Sequence, residues 1–588
     1  MDDTHPRNEI ILYSLAFLLA LAIRFYQLGA GPLSDVEAQW ALQALSLVRG
    51  EPVILGPQPA YLLLTSQLFS IFGNSNVIAR LLPALAGSLL IWLPYFFRRW
   101  MGKSRWMHWA GVLMAFGLAI DPGLVSLSRQ AGSLMPALAF SMLALACLYN
   151  RRMVWAGIFG GLALLSGPAF LQGLLILGFA WGLFRLITRK PAYISQDEVQ
   201  AQSMDGPLPA ITVWPGMIAV LMTLLVAGTL FLRVPQGLGA LADTISAYVH
   251  TWVTSSGIPV LRLPGAVLVY QAVILVLAII CAARGWFASW EEPHQRQLVT
   301  GLSVWAAVAF FIPWIYAGRQ VGDMAWALIP LWALAAIEIS RSLSIAEERA
   351  TRMIGAGLGL LLCLFAIIAW FNLLSVGRYQ ANLPLYWGVV IGALLLGVLA
   401  VFLVMAGWSV KAARMGVVAA LCVVMGLQLI SNTWGISILR QNNVQDLWSI
   451  PPSTGQLGLL MNTLSDISVW HTGLRDQLKV VVMVDSPALK WALRNDPYAS
   501  FVTSLAPTET PPAVITLKGT EEPRLQQQYR GEDFVWRLYP GWDGIFPPDF
   551  INWLAFRKAP LSQDQIILWA RVDIFPVGGS SSTGNTVP

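Results

Sequence analysis

Charge is scarce in this chain. Asp, Glu, Lys and Arg make up 12% of its 588 residues, about half the ~25% of an average soluble protein. A solvated globule of this size is excluded. The net charge of +6 does not point to nucleic acid either, because the bases form no single patch interleaved with aromatic platforms. Cysteine is rarer still: Cys147, Cys281, Cys363 and Cys422 all sit inside apolar runs, so no disulfide framework is expected. The five histidines (His5, His108, His250, His294 and His471) lie in different segments without metal-ligand spacing, and no metal site is expected. A divalent cation held by outer carboxylates has little support, so no cofactor is called. No Walker or Rossmann glycine motif is present, which argues against an ATP-driven pump or an internal nucleotide-sugar site. Neither paired intramembrane acids nor an internal repeat favours a transporter.

What the chain has in abundance is apolar sequence: 56% hydrophobic residues and a mean hydropathy of +0.63. Runs near the ~20 residues that cross a bilayer recur around 9–28, 79–97, 107–121, 133–149, 153–167, 169–187, 212–232, 264–283, 298–315, 324–341, 352–374, 384–406 and 413–433. The expectation is an α-helical polytopic membrane protein with about thirteen transmembrane helices. The start, "MDDTHPRNE", lacks the basic residues of a cleaved signal, so the first span is expected to stay. Base clusters at 98–105, 151–152, 185–190, 284, 341–349 and 411–414 alternate with base-poor loops. By the positive-inside rule the N-terminus is cytoplasmic, and an odd number of spans places the C-terminus outside.

Domain boundaries follow from composition. Residues 1–435 form the membrane domain, whose outer first loop, 31–78, holds two apolar helical segments expected to lie in the membrane interface. Residues 436–577 change character. "LKVVVMVD" and "PAVITL" read as buried strands with the helix-like "SPALKWALRND" between them, which predicts a small extracytoplasmic α/β domain. The tail, 578–588, is expected to be disordered.

The outer first loop opens with "RFYQLGAGPLSDVEAQWA". Further on come "RLLPALAGSLL" (80–90), "LSRQAG" (127–132) and "GRQVGDMAWALIPLWALAA" (318–336). Their order, spacing and expected sidedness resemble the C-type (GT-C) glycosyltransferase superfamily, and within it family 39, which contains protein O-mannosyltransferases and aminoarabinose transferases. The resemblance covers about residues 20–345. It implies a membrane GT-C fold and transfer of a sugar from a polyprenyl-phosphate carrier to an extracytoplasmic protein, lipid or glycan. It also implies carboxylates of the first outer loop as catalytic base. The outer α/β domain resembles that of bacterial members described as flippase-associated. Two departures stand out. Val36 occupies the place of the family's aspartate, with Asp35 one position early, and no acid follows Arg129 in "SRQAGSLMP".

Asp35 is the preferred base for the acceptor and Glu37 its alternative. Against both stands a structural reading, since "SDVE" is a capping box with Ser34 as N-cap and Glu37 at the third helical position. Arg80, Arg129 and Arg319 are candidates for the donor phosphate, because guanidinium groups bind phosphate oxygens bidentately; snorkelling at span ends is the alternative. Arg24 is expected to snorkel or to pair with an acid of the first loop. Asp323 is expected to form a local ion pair or cap. A rival reading, favoured by the two departures, is a non-catalytic relative that binds a lipid carrier or serves as a scaffold subunit of a membrane complex.

Overall fold

The computed structural model describes residues 5–101, 104–188, 213–287, 290, 292–344, 348–378, 383–441, 443–506, 508–519 and 526–575. The expected disordered tail lies outside them. The chain divides into two compact units. The first comprises 1–29, 43–449 and 542–559; the second comprises 30–42, 450–541 and 560–588. The division in the C-terminal half therefore falls at 449 rather than 435. Segment 542–559, with the helix Phe550–Phe556, belongs to the first unit.

Every one of the expected apolar segments is helical in the first unit, which makes this a multi-pass membrane protein. Seven described helices are long and apolar enough to cross a bilayer, and nine spans result if two bent helix pairs are each one span. The thirteen expected spans are thus not all matched in length. Leu134–Tyr149, Met153–Leu164 and Trp214–Gly228 are shorter apolar helices. In the first loop, Asp35–Arg49 and Pro59–Phe72 are helices as the spacing predicts. The second of them buries Pro59 through Leu63 rather than lying on the surface.

At the heart of the unit is Val321–Ser344, among the described residues the one candidate span that is fully buried. Within the bilayer, helices associate where small residues admit close approach. Gly117 is such a residue: an added Cβ would lie 2.1 Å from the Trp332 ring. Gly173 gives way in the same manner to Trp326, 2.0 Å from its would-be Cβ. The two indoles are thereby seated in notches on neighbouring spans.

The second unit carries a six-stranded mixed sheet in the order β1-β5-β6-β4-β2-β3. Here β1 is Ser453–Thr454, β2 Val480–Val482, β3 Ala499–Phe501, β4 Ala513–Leu517, β5 Tyr529–Pro540 and β6 Leu561–Arg571. β2 runs parallel to both its neighbours, and its residues are all buried, as central parallel strands require. β6 alternates instead, burying Ile566, Leu568 and Ala570, the pattern of a strand with one covered face. The helix Pro487–Ala492 connects β2 to β3. Between Val535 and Arg537 the long β5–β6 ladder slips by a bulge, a device that re-aims side chains.

Candidate functional site

The two loop carboxylates fall in the second unit, and the three arginines in the first. Ser34 and Glu37 form the capping box read from "SDVE". The Ser34 N–H donates to Glu37 Oε2 (3.0 Å), and the Glu37 N–H donates to Ser34 Oγ (3.3 Å). Glu37 is only 5% exposed. Asp35, one position into the helix, is engaged on both oxygens. Ser486 Oγ (2.7 Å) and the Ala488 N–H (3.1 Å) donate to Oδ1, while Arg537 Nε donates to Oδ2 at 2.6 Å. The carboxylate thus sits at the N-terminus of the helix Pro487–Ala492, where negative charge complements the helix dipole. Arg537 follows the β5 bulge and stacks its guanidinium 3.9 Å from the centre of the Trp536 ring.

Arg80 and Arg129 converge on the end of the first span. Arg129 donates to the carbonyls of Ile23 (3.1 Å), Arg24 (2.9 Å), Tyr26 (2.8 Å) and Gln27 (3.2 Å). Arg80 donates to Leu28 O at 3.1 Å. These are the carbonyls that a helix leaves unpaired at its C-terminus and in the turn beyond, where a cation is favoured by the dipole. Both guanidiniums are buried. Burial, and then the neighbouring Arg80 cation, push the Arg129 pKa down to about 10.

Arg319 is held by a different set of carbonyls, those of Tyr316 (3.0 Å) and Ile258 (3.3 Å). Ser256 Oγ donates to the Arg319 carbonyl at 2.6 Å, and the Gly318 N–H donates to Thr251 O at 2.7 Å. Arg319 therefore joins the loop "HTWVTSSG" to the turn at 316–319. Asp323 accepts from the Gln320 N–H (2.7 Å) and from the Tyr316 hydroxyl. It is a cap, as expected. Burial and the adjoining Asp323 raise the Tyr316 pKa well above the ordinary tyrosine value.

One cluster was not read from the sequence. The helices Arg105–Ile120 and Pro122–Ser128 bend by 53° at Asp121, and Arg262–Tyr270 and Ala272–Phe287 bend by 96° at Gln271. The two breaks meet: Gln271 Nε2 lies 3.4 Å from both Asp121 oxygens, and Trp332 Nε1 donates to Asp121 Oδ2 at 2.9 Å. Backbone groups freed at membrane depth have no water to turn to, and at the Asp121 break four of them find side-chain partners. The Leu124 N–H donates to Asp121 Oδ1 (2.9 Å). Arg24 donates to the carbonyls of Leu118 (3.1 Å) and Ala119 (3.0 Å), and Thr433 Oγ1 to that of Ile120 (2.6 Å). Arg24 accordingly neither snorkels nor pairs with a loop acid; it is fully buried. The available signal was "IDPG", an aspartate followed by proline inside an apolar run, which starts a helix anew.

Residues 33–190 match the family described as dolichyl-phosphate-mannose-protein mannosyltransferase (PMT). Over 97% of this chain and 100% of the other, the structure is similar to apo ArnT from Cupriavidus metallidurans, at 15% identity and a TM-score of 0.50. The fold is that of the C-type membrane glycosyltransferases. ArnT from the same organism, bound to undecaprenyl phosphate, aligns over 96% of this chain and 99% of its own at 15% identity and a TM-score of 0.48. The arabinosyltransferase EmbB from Mycobacterium smegmatis aligns over 78% of this chain and 44% of its own, with 15% identity and a TM-score of 0.40. No curated protein sequence matches. The PMT match contains Asp35, Glu37, Arg80 and Arg129; Arg319 lies beyond it.

Proposed function

We propose that this protein is a membrane glycosyltransferase that moves a sugar from a polyprenyl-phosphate-linked donor to an extracytoplasmic protein, lipid or glycan. The observation that carries this reading is the PMT match over 33–190, which contains both loop carboxylates and the buried Arg80–Arg129 pair. Guanidinium groups bind phosphate oxygens bidentately, which suits this pair to the donor phosphate. The relative bound to undecaprenyl phosphate suggests the carrier class. In this reading Arg80 and Arg129 act on the donor phosphate, with Arg319 as a further candidate. Asp35 is the base for the acceptor hydroxyl or amine, and Glu37 is the alternative base. The N-terminus is cytoplasmic and the sheet-bearing unit is extracytoplasmic.

The second reading, a non-catalytic carrier-binding or scaffold subunit of a membrane complex, is favoured by the engagement of Asp35. Its oxygens already accept three hydrogen bonds, and a base must keep a lone pair for the incoming proton.

The full-length protein in nanodiscs, supplied with radiolabelled polyprenyl-phosphate hexose or pentose, tests both readings. Transfer to a membrane or protein fraction supports the enzyme. Arg129→Lys, which keeps charge but loses the planar fork, should weaken undecaprenyl-phosphate binding. Carrier binding without transfer from any donor supports the carrier-binding form of the second reading, and absence of carrier binding by folded protein overturns the enzyme and leaves only the scaffold form.

A further inference from the structure

At the opposite end of the span Asn76–Phe96 from Arg80, a second basic constellation is built into the membrane unit. Arg80 and Arg98 are eighteen positions apart along this largely helical segment, which separates them by roughly 27 Å. There Arg98, Arg99 and Arg152 line one pocket of about 300 Å3 together with Tyr95, Asn150 and Trp155.

The pocket is held open by its own hydrogen bonds. Asn150, the C-cap of the helix Leu134–Tyr149, donates from Nδ2 to Phe96 O (2.9 Å) and to Ala146 O (2.8 Å). It thereby ties together the ends of two helices. The Arg98 guanidinium lies 4.4 Å from the centre of the Tyr95 ring, which fixes its direction. Among the described residues, none of the three arginine side chains is ion-paired with a carboxylate. Arg99 and Arg152 are exposed and Arg98 half-buried.

Bases at span ends ordinarily serve topology and snorkel separately into the headgroup layer. Three that converge on one pocket repel one another unless an anion stands between them. The surroundings indicate which anion. Leu148, Val154 and Trp155 are about half exposed beside the pocket, and Trp155 packs against Phe159 with ring centres 6.2 Å apart. This apolar flank accepts acyl chains, whereas a soluble phosphate has no use for it. Basic pockets between transmembrane helices are suited to anionic lipid headgroups.

We infer that Arg98, Arg99 and Arg152 form a binding site for an anionic phospholipid, with its phosphate among the guanidiniums and an acyl chain along Trp155 and Phe159. The site is separate from the proposed donor-phosphate residues and does not depend on the glycosyltransferase reading.

Native mass spectrometry of the full-length protein released from nanodiscs tests this. The nanodiscs contain phosphatidylcholine alone or with one fifth of the lipid as cardiolipin or phosphatidylglycerol. The wild type should retain the anionic lipid, and the variant R98Q/R99Q/R152Q should retain it at least roughly tenfold less, with binding of undecaprenyl phosphate unchanged. Should that variant fail to fold, R99Q/R152Q alters only exposed side chains and should still show a clear loss. Equal retention by folded variants overturns the site. Stabilisation of the wild type by millimolar inorganic phosphate or glycerophosphate, abolished by the same substitutions, would mark a soluble-anion site and overturn the lipid assignment.

Discussion

Asp35 and Arg537, 502 positions apart in the sequence, meet as a 2.6 Å ion pair in the second unit. The carboxylate is 13% exposed and the guanidinium 25%, so the pair is largely withdrawn from water. A double-mutant cycle with Asp35→Asn and Arg537→Gln, read by thermal unfolding of the full-length protein, should give a coupling of about 0.5–3 kcal/mol. Strictly additive effects would reduce the pair to an ordinary surface contact.

Asp485 offers the contrast, because it precedes the same short helix. Its side chain is 89% exposed and is bonded to Lys490 at 2.7 Å. That hydrogen bond and charge hold its pKa below the ordinary 3.8. A carboxylate depressed in the folded state stabilises above its unfolded pKa, and that contribution is lost as pH falls through the folded one. Exposure keeps it small. Asp485→Asn should cost no more than ~1 kcal/mol at pH 7, and the difference from wild type should vanish below the folded pKa. A loss at pH 7 larger than that of Asp35→Asn would reverse the ranking.

For Glu37 the prediction separates capping from chemistry. Glutamine also satisfies a capping box, so Glu37→Gln should lower the melting temperature less than Glu37→Ala, which forfeits about 1 kcal/mol of capping. If sugar transfer is established, loss of transfer in a normally stable Glu37→Gln, beside an active Asp35→Asn, would move the base from Asp35 to Glu37.

Asp121 should matter for stability wherever the catalytic residues lie. Asp121→Ala removes the cap of the helix Pro122–Ser128 and the acceptor of the Trp332 indole. An expected loss of ~1–3 kcal/mol follows from a buried donor left unmade, tempered by the ~0.6 kcal/mol average measured for hydrogen bonds between helices in a membrane. Asp121→Asn keeps a capping oxygen and should lose less. Detergent-solubilised protein and a thermal-shift assay suffice, and equal loss in both variants would show that charge rather than capping is what the site needs.

Sidedness can be checked with single cysteines in a background lacking the four native ones. Arg475 and Arg185 are both exposed. Arg475→Cys should react with an impermeant thiol reagent applied outside, and Arg185→Cys only after the membrane is opened. The reverse pattern would invert the proposed topology.

The helices were legible because apolar runs separated by base clusters leave few alternatives. Their breaks were not. "IDPG" ends one apolar run as plausibly as it bends a single helix, and only the structure brings Gln271 and Trp332 to Asp121. The capping box could be read locally, since its two members stand three positions apart. By contrast, the partners of Asp35 are not legible locally, since Ser486, Ala488 and Arg537 come from 451 to 502 positions downstream. The convergence of Arg80 and Arg129 is half visible: both stand out in the sequence as donor-phosphate candidates, but their shared grip on the first span is a property of packing. The sheet strands are legible where apolar runs are short, whereas segment 542–559, which composition groups with them, belongs to the other unit.

The meeting of Asp121 with Gln271 and Trp332 also has a dimension in time. The partners lie 150 and 211 positions further along the chain, and synthesis delivers them in that order. When the bend at Asp121 first emerges, Arg24 is already made and the local Leu124 N–H is at hand, but both side-chain donors to the carboxylate are still to come. The carboxylate therefore gains its last side-chain donor, Trp332, only once Ala325–Ser344 has been made. The Ile120 carbonyl at the same bend waits longer still, for Thr433 in the last of the expected spans, so a break made early in the chain is completed only by residues made late.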